Sequence, residues 1–207
     1  PVSDKIIQYN SFDEVGEENW GKGWYLHTQD CCRTQPGGEC CGRAVTQSTT
    51  IKRAGRAAIK FDLRYNDPTA SGKHRAEMQG YNEPPGKIER WYGWSEYIEM
   101  WDLKDKEPGS TIQWHQPASA GSPPLSYYID EGRYQCTHNV SNVKDGYFRY
   151  DDLGPVTLKV WTDWVMHVKW SSSSDGLIEI WKNGTKVFTY TGITQELIAD
   201  GKDGNYI

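Results

Sequence analysis

The stretch SGKHRAEMQGY, Ser71 to Tyr81, crowds Ser71, Lys73, His74, Arg75, Glu77 and Gln79 into one short segment. A second stretch, TIQWHQ from Thr111 to Gln116, sets Gln113 and His115 on either side of Trp114. These are side chains that can donate to a carboxylate and exchange protons near neutral pH. In a strand, positions i and i+2 share a face. Lys73, Arg75 and Glu77 then fall on one side, with His74 opposite or at a bulge. Gln113 and His115 point together and Trp114 faces opposite; Trp114 reads as a groove aromatic or as a core residue behind the sheet, and parity with Gln113 favours the core. Each strand alone reads as an exposed face. If the two pair or neighbour, one sheet face gathers Arg, Glu, Gln and His, and that convergence needs water or a ligand to satisfy it.

β-Elimination on a uronic acid polymer requires such a set. The C6 carboxylate must be neutralised by donors such as Gln, Arg or protonated His, because the intermediate is enolate-like. A base, His or an ionised Tyr, removes the C5 proton. An acid, often Tyr, protonates the departing O4. Hydrolysis instead requires two carboxyl groups about 5–10 Å apart across the bond. The best carboxylates for that, in SEYIEMWD, have the wrong parity for one strand face: Glu96 and Asp102 share a side and Glu99 takes the other. No phosphate-binding glycine loop or serine nucleophile elbow is present.

The elements that must position these residues read as strands. AAIKFDLRY (57–65) alternates Ile59, Phe61 and Leu63 against Lys60, Asp62 and Arg64, and VTLKVW (156–161) alternates Val156, Leu158 and Val160. In DWVMHVKW, Trp164, Met166, Val168 and Trp170 line one face, with Val165, His167 and Lys169 on the other. SSSSDG turns the chain into LIEIW, and Asn183-Gly184 is placed as a type I′ hairpin turn. WYGWSEYIEMW (91–101) is an aromatic strand, and only ITQELIAD near the end suits a helical turn. Short strands broken by turns, with 21 Gly and 10 Pro, predict an all-β sandwich or jelly roll.

With 207 residues and no repeat or linker, one domain spanning 1–207 is expected. A net charge of −5 without a basic stripe argues against nucleic acid as partner. No run approaches about 18 consecutive apolar residues, so no membrane span is expected, and the chain is expected to act as a monomer. Ten Trp and thirteen Tyr against four Phe favour rings with a polar handle, able to pack in a core or stack on sugars. Cys31, Cys32, Cys40 and Cys41 in CCRTQPGGECC lack zinc-site spacing and suit a disulfide-stapled loop, leaving Cys136 over. With the sequons at Asn139 and Asn183 they favour a secreted protein, and Pro1 in place of Met suits a processed one.

GKHRAEM, ERWYGWSEYI, IQWHQ and WVMHVKWSSSSDGLIEIWKNGTKVFTYTG occur in the order and spacing of a known group. From about Ala57 onward the chain resembles the heparin-lyase-like jelly-roll polysaccharide lyases, the glucuronan lyases above all, and its R-x-E and Q-x-H pair resembles motifs of jelly-roll alginate lyases. The resemblance implies a concanavalin-like β-jelly roll of two antiparallel sheets, whose concave face forms a groove for an anionic polysaccharide. It implies His74 as the active-site histidine and Gln113 as the carboxylate-neutralising glutamine. Arg75 and His115 would bind or polarise the uronate, and Glu77 would hold Arg75. Lys73, Tyr128 and Tyr206 join Glu77 as substrate-binding candidates.

In such families a late strand reads approximately Y-[FI]-K-x-G-x-Y and ends on the catalytic Tyr. Here Tyr206-Ile207 stands where that motif would begin, and the given sequence stops. Either the chain continues or another tyrosine serves, Tyr127 and Tyr128 being the substitutes. Some relatives hold a structural Ca²⁺, for which Asp200 and Asp203 in ADGKDGN are the hard-oxygen candidates. The expected function is a secreted lyase cleaving a glucuronan-like polyuronate by β-elimination; the alternative is a carbohydrate-binding module on the same fold.

Overall fold

The structure, a computed structural model, describes residues 25–26, 44–64, 67, 69, 73–80, 88–102, 108–115, 122–141 and 146–196. Its contacts gather the chain into two compact units, Pro1–Tyr81 and Asn82–Ile207. Every regular element among the described residues is a strand.

In the first unit, β1 (Tyr25–Leu26) pairs antiparallel with β4 (Met78–Gln79), and β2 (Val45–Ser48) with β3 (Ala58–Phe61). The strand expected over AAIKFDLRY is thus cut to four residues. Asp67 ends it, its Oδ2 accepting from Arg64 N at 2.8 Å while its own N donates to Arg64 O at 2.9 Å, a local turn that competes with the ladder. Phe61 and Leu63, expected on a buried face, are about half exposed.

The second unit is a sandwich of two four-stranded sheets. One has the order β12-β11-β10-β5, from β5 (Glu89–Tyr97), β10 (Trp161–Lys169), β11 (Gly176–Lys182) and β12 (Thr185–Gly192). The other has the order β6-β7-β8-β9, from β6 (Gly109–Trp114), β7 (Leu125–Asp130), β8 (Arg133–Asn139) and β9 (Phe148–Pro155). All the pairings are antiparallel. The core fills the space between the sheets. Trp164, Met166, Val168 and Trp170 enter from β10 and its end, all 1 % exposed or less, and Trp114, Leu125, Tyr127 and Ile129 meet them from β6 and β7. The Trp94 ring lies edge-on to Tyr127 at 5.1 Å and beside Trp164 at 6.1 Å. Aromatics this large dominate core energetics.

Two tight turns set register. Asn183 and Gly184 take φ of 50° and 79°, the left-handed pair a type I′ hairpin needs, and Asn183 Oδ1 accepts from Asp163 N at 2.8 Å. Glu131 and Gly132, at φ 44° and 75°, do the same between β7 and β8. VTLKVW, in contrast, is not a strand. β9 ends at Pro155, and Lys159 adopts φ 62° in a turn whose N donates to Ile98 O at 2.8 Å. ITQELIAD is not helical over its described part, 193–196.

The two sequons differ. Asn139 is wholly buried, its amide donating to Glu196 Oε1 at 3.4 Å and its carbonyl accepting from Ser141 N at 2.6 Å. Asn183 stands exposed at a hairpin tip. Expression in a glycosylating host is therefore expected to leave Asn139 bare in folded protein. Peptide mass spectrometry checks this, and a glycan on Asn139 of native material would refute that burial.

Candidate active site

Alternation decides which way β6 presents its side chains. Ile112 and Trp114 are the apolar members and turn inward; Trp114 is fully buried, its ring 5.2 Å from Tyr92 and 5.9 Å from Tyr127. Gln113 and His115 therefore take the opposite face, and both are half-buried. The same logic runs through β7, where Leu125, Tyr127 and Ile129 go in and Ser126, Tyr128 and Asp130 go out. In β8, Tyr134, Cys136 and His138 go in while Gln135, Thr137 and Asn139 go out.

Register assembles the outward set into rows, because directly opposed residues share a face. Gln113 opposes Ser126, Ser126 opposes Thr137, and Thr137 opposes Tyr150. The next row holds Ser110, Tyr128, Gln135 and Asp152. One polar sheet face thus carries Gln113, His115 and Tyr128 together. Ser126 is 1 % exposed and its Oγ has no hydrogen-bond partner among the described residues.

This face separates the two candidate tyrosines. Tyr127 points into the core, 1 % exposed, with burial first and the neighbouring Cys136 and Glu96 next pushing its hydroxyl well above the ordinary tyrosine range. It cannot meet a polymer. Tyr128 can. Tyr128→Phe is expected to lower kcat about 10²-fold or more if Tyr128 is the proton donor. Tyr127→Phe, which deletes a buried hydroxyl without a partner among the described residues, should change the rate by no more than a few-fold. Equal rates for both variants would remove Tyr128 from the chemistry.

The other nominated residues are placed as follows. Lys73 to Glu77 do not form the strand expected of KHRAEM: Lys73 makes an isolated bridge and the ladder begins at Met78. With Ala76 and Met78 its only apolar members, the segment lacks a face to bury. Arg75 Nη1 and Glu77 Oε2 stand 3.7 Å apart in an exposed ion pair. His74 and Lys73 are exposed. Tyr206, Asp200 and Asp203 lie outside the described residues, as do Cys31, Cys32, Cys40 and Cys41. Among the described residues no three His, Cys, Asp or Glu side chains cluster as a metal ion would need, and no step is assigned to a metal.

Sequence reasoning missed the roles of three ionisable groups that the fold uses. His138 is fully buried, with Nε2 2.9 Å from Asp151 Oδ2, and burial lowers its pKa. His167 bridges Glu179 and Glu89 at 2.9 and 2.7 Å and stacks on Trp91 at 4.2 Å. Glu96 turns its carboxylate to the core side, where Trp164 Nε1 donates to Oε1 at 2.7 Å, and burial pushes it up to about 7. β5 ends at Tyr97, so Glu99 and Asp102 have left the strand that the parity argument assumed, and both are exposed. Only tertiary pairing reveals these roles; the local sequence carries no mark of them.

A sequence profile of the polysaccharide lyases matches residues 10–206. The chain belongs to the polysaccharide lyase family. The lyase is also similar in structure to the crystal structure of endo-β-1,4-glucuronan lyase from the fungus Trichoderma reesei, with a TM-score of 0.61 and 20 % identity over 78 % of this chain and 72 % of that one. At that identity the likeness speaks to fold, and the fold of the lyase is an all-β jelly roll. No curated protein sequence matches the lyase.

Proposed function

We propose that this lyase cleaves a glucuronate-containing polyuronate by β-elimination. The observation that carries the reading is the single polar sheet face holding Gln113, His115 and Tyr128, backed by the buried Trp114 and Tyr127. On this face Gln113 neutralises the C6 carboxylate of the uronate and His115 binds or polarises it; the role of Arg75 toward the uronate rests on the family resemblance alone. His74 is the histidine that takes the C5 proton. The electron pair moves to form the C4–C5 double bond, the bond from C4 to O4 breaks, and Tyr128 or Tyr206 returns a proton to O4. Lys73 binds the anionic chain and Glu77 steadies Arg75. The product carries a 4,5-unsaturated uronate at its new non-reducing end.

The glucuronan lyase neighbour makes glucuronan the first substrate to try. The cysteine content supports secretion, and a monomer with a structural Ca²⁺ on Asp200 and Asp203 belongs to the same reading. The test is ultraviolet absorbance on mixing the protein with glucuronan, ulvan, alginate and heparin in turn. A rise with glucuronan or ulvan supports the reading, a rise with alginate or heparin alone moves the substrate class, and no rise with any of them would sink it.

A further inference from the structure

The row beside Gln113 holds a second polar pair that the chemistry above does not use. Tyr128 opposes Gln135, and Gln135 Nε2 donates to Asp130 Oδ2 at 3.3 Å. All three side chains are half-buried, so they are reachable yet held. Asp130 and Gln135 lie on the same face as Gln113. Among the described residues the amide of Gln135 keeps one N–H and its carbonyl oxygen for a ligand after the contact with Asp130.

The charge around the pair decides what that ligand presents. Asp130 opposes Arg133, but Arg133 is engaged by Asp152 through a two-point ion pair, Nε to Oδ1 at 2.9 Å and Nη2 to Oδ2. Arg133 is thus taken up by Asp152, and the Asp130 carboxylate beside the Gln135 amide disfavours a second uronate carboxylate there. Hydroxyl groups, which both donate and accept, suit an amide beside a carboxylate. Spacing says which sugar supplies them. Gln113 lies on β6 and Gln135 on β8, two strand spacings or about 10 Å apart across the sheet. A 1,4-linked pyranose advances a chain by close to one strand spacing, so a polymer crossing the strands on the diagonal, from the Gln113 row on β6 to the Tyr128 row on β8, brings its second neighbour to Gln135.

We propose that Gln135, oriented by Asp130, binds hydroxyl groups of the sugar two residues from the cleaved bond and so forms an outer subsite. The inference rests on the proposed use of the Gln113 face. Its test is kcat/KM on oligosaccharides of increasing length, prepared from whichever polyuronate gives the ultraviolet signal. For Gln135→Ala, the ratio of kcat/KM on long to short oligosaccharides is expected to fall about tenfold, through KM, the loss of one or two hydrogen bonds. Asp130→Ala should move the ratio the same way, and Asp130→Asn, which still accepts from the amide, should restore most of it. A length dependence for Gln135→Ala that parallels the unmodified protein overturns the subsite, and so does a loss of kcat that is equal at every length. Gln113→Ala separates the two ideas. If that variant stays active at all lengths, the active face itself is wrong; if it is inactive while Gln135→Ala keeps the normal length profile, only the subsite falls.

Discussion

Gln113→Ala should lower kcat by about 10²–10³-fold, the cost of removing one preorganised donor from a developing oxyanion. The variant should still fold, because Gln113 stands on the polar face while its neighbours Ile112 and Trp114 supply the packing of β6. His74→Ala should cost as much or more, about 10²–10⁴-fold, since no other group is assigned the C5 proton. Initial rates of ultraviolet absorbance, read beside melting temperatures, separate lost chemistry from lost fold. Activity within a few-fold of normal in either variant, at normal Tm, would strike that residue from the mechanism. Trp114→Ala gives the contrasting signature, with stability falling by about 3–5 kcal/mol because a fully buried indole leaves a cavity.

Glu96 carries the largest expected effect of pH on stability. Burial raises its carboxyl to about 7 against the ordinary 4.5, opposed by the hydrogen bond from Trp164 and by the charge of Lys182. Lys182 is itself shared, donating to Pro155 O at 2.7 Å and lying 4.6 Å from the Tyr134 ring. Because the folded-state pKa is raised, the native chain keeps a proton that the unfolded chain releases. Stability from this group is full below 4.5, declines as pH rises, and is lost above about 7. The penalty above neutrality is at most about 3 kcal/mol. Glu96→Gln keeps an acceptor for Trp164 and cannot ionise. Its Tm should stay nearly level between about pH 5 and about pH 8 while that of the unmodified protein falls, a gap of roughly 6–12 °C at the upper end. Parallel Tm curves for the two proteins would show that Glu96 is not protonated in the core.

Much of the sandwich was legible where a strand is long and half-buried. In β10 the spacing of Trp164, Met166, Val168 and Trp170 gives the inward face, because side chains alternate and these four are the large apolar ones. Asn183-Gly184 announces its hairpin because few residue pairs accept two left-handed conformations in succession. Trp114 falls on the core side for the same alternation that frees Gln113. Short alternations were misleading. VTLKVW matches the strand period by chance, and the turn at Lys159 follows from a hydrogen bond to Ile98, some sixty positions earlier in the chain. KHRAEM fails as a strand because local polarity leaves nothing to bury.

The candidate site was half legible. Residue types point to Gln113 and His115, yet the choice of Tyr128 over Tyr127 and the place of Gln135 depend on the register of β6, β7 and β8. Register is set by the turns and by cross-sheet packing, neither of which a single strand encodes. Glu96 shows the same limit. Nothing in SEYIEMWD tells a solvated glutamate from one held against Trp164.

Cys136 has a consequence for oxidative folding. It is fully buried on the inward face of β8, and burial lifts its thiol to about 12. At about pH 8 only roughly one thiol in 10⁴ at such a site is the nucleophilic thiolate. Once β8 has docked, Cys136 is withdrawn from exchange with other thiols. The core thus acts as a thiol-protecting group for Cys136.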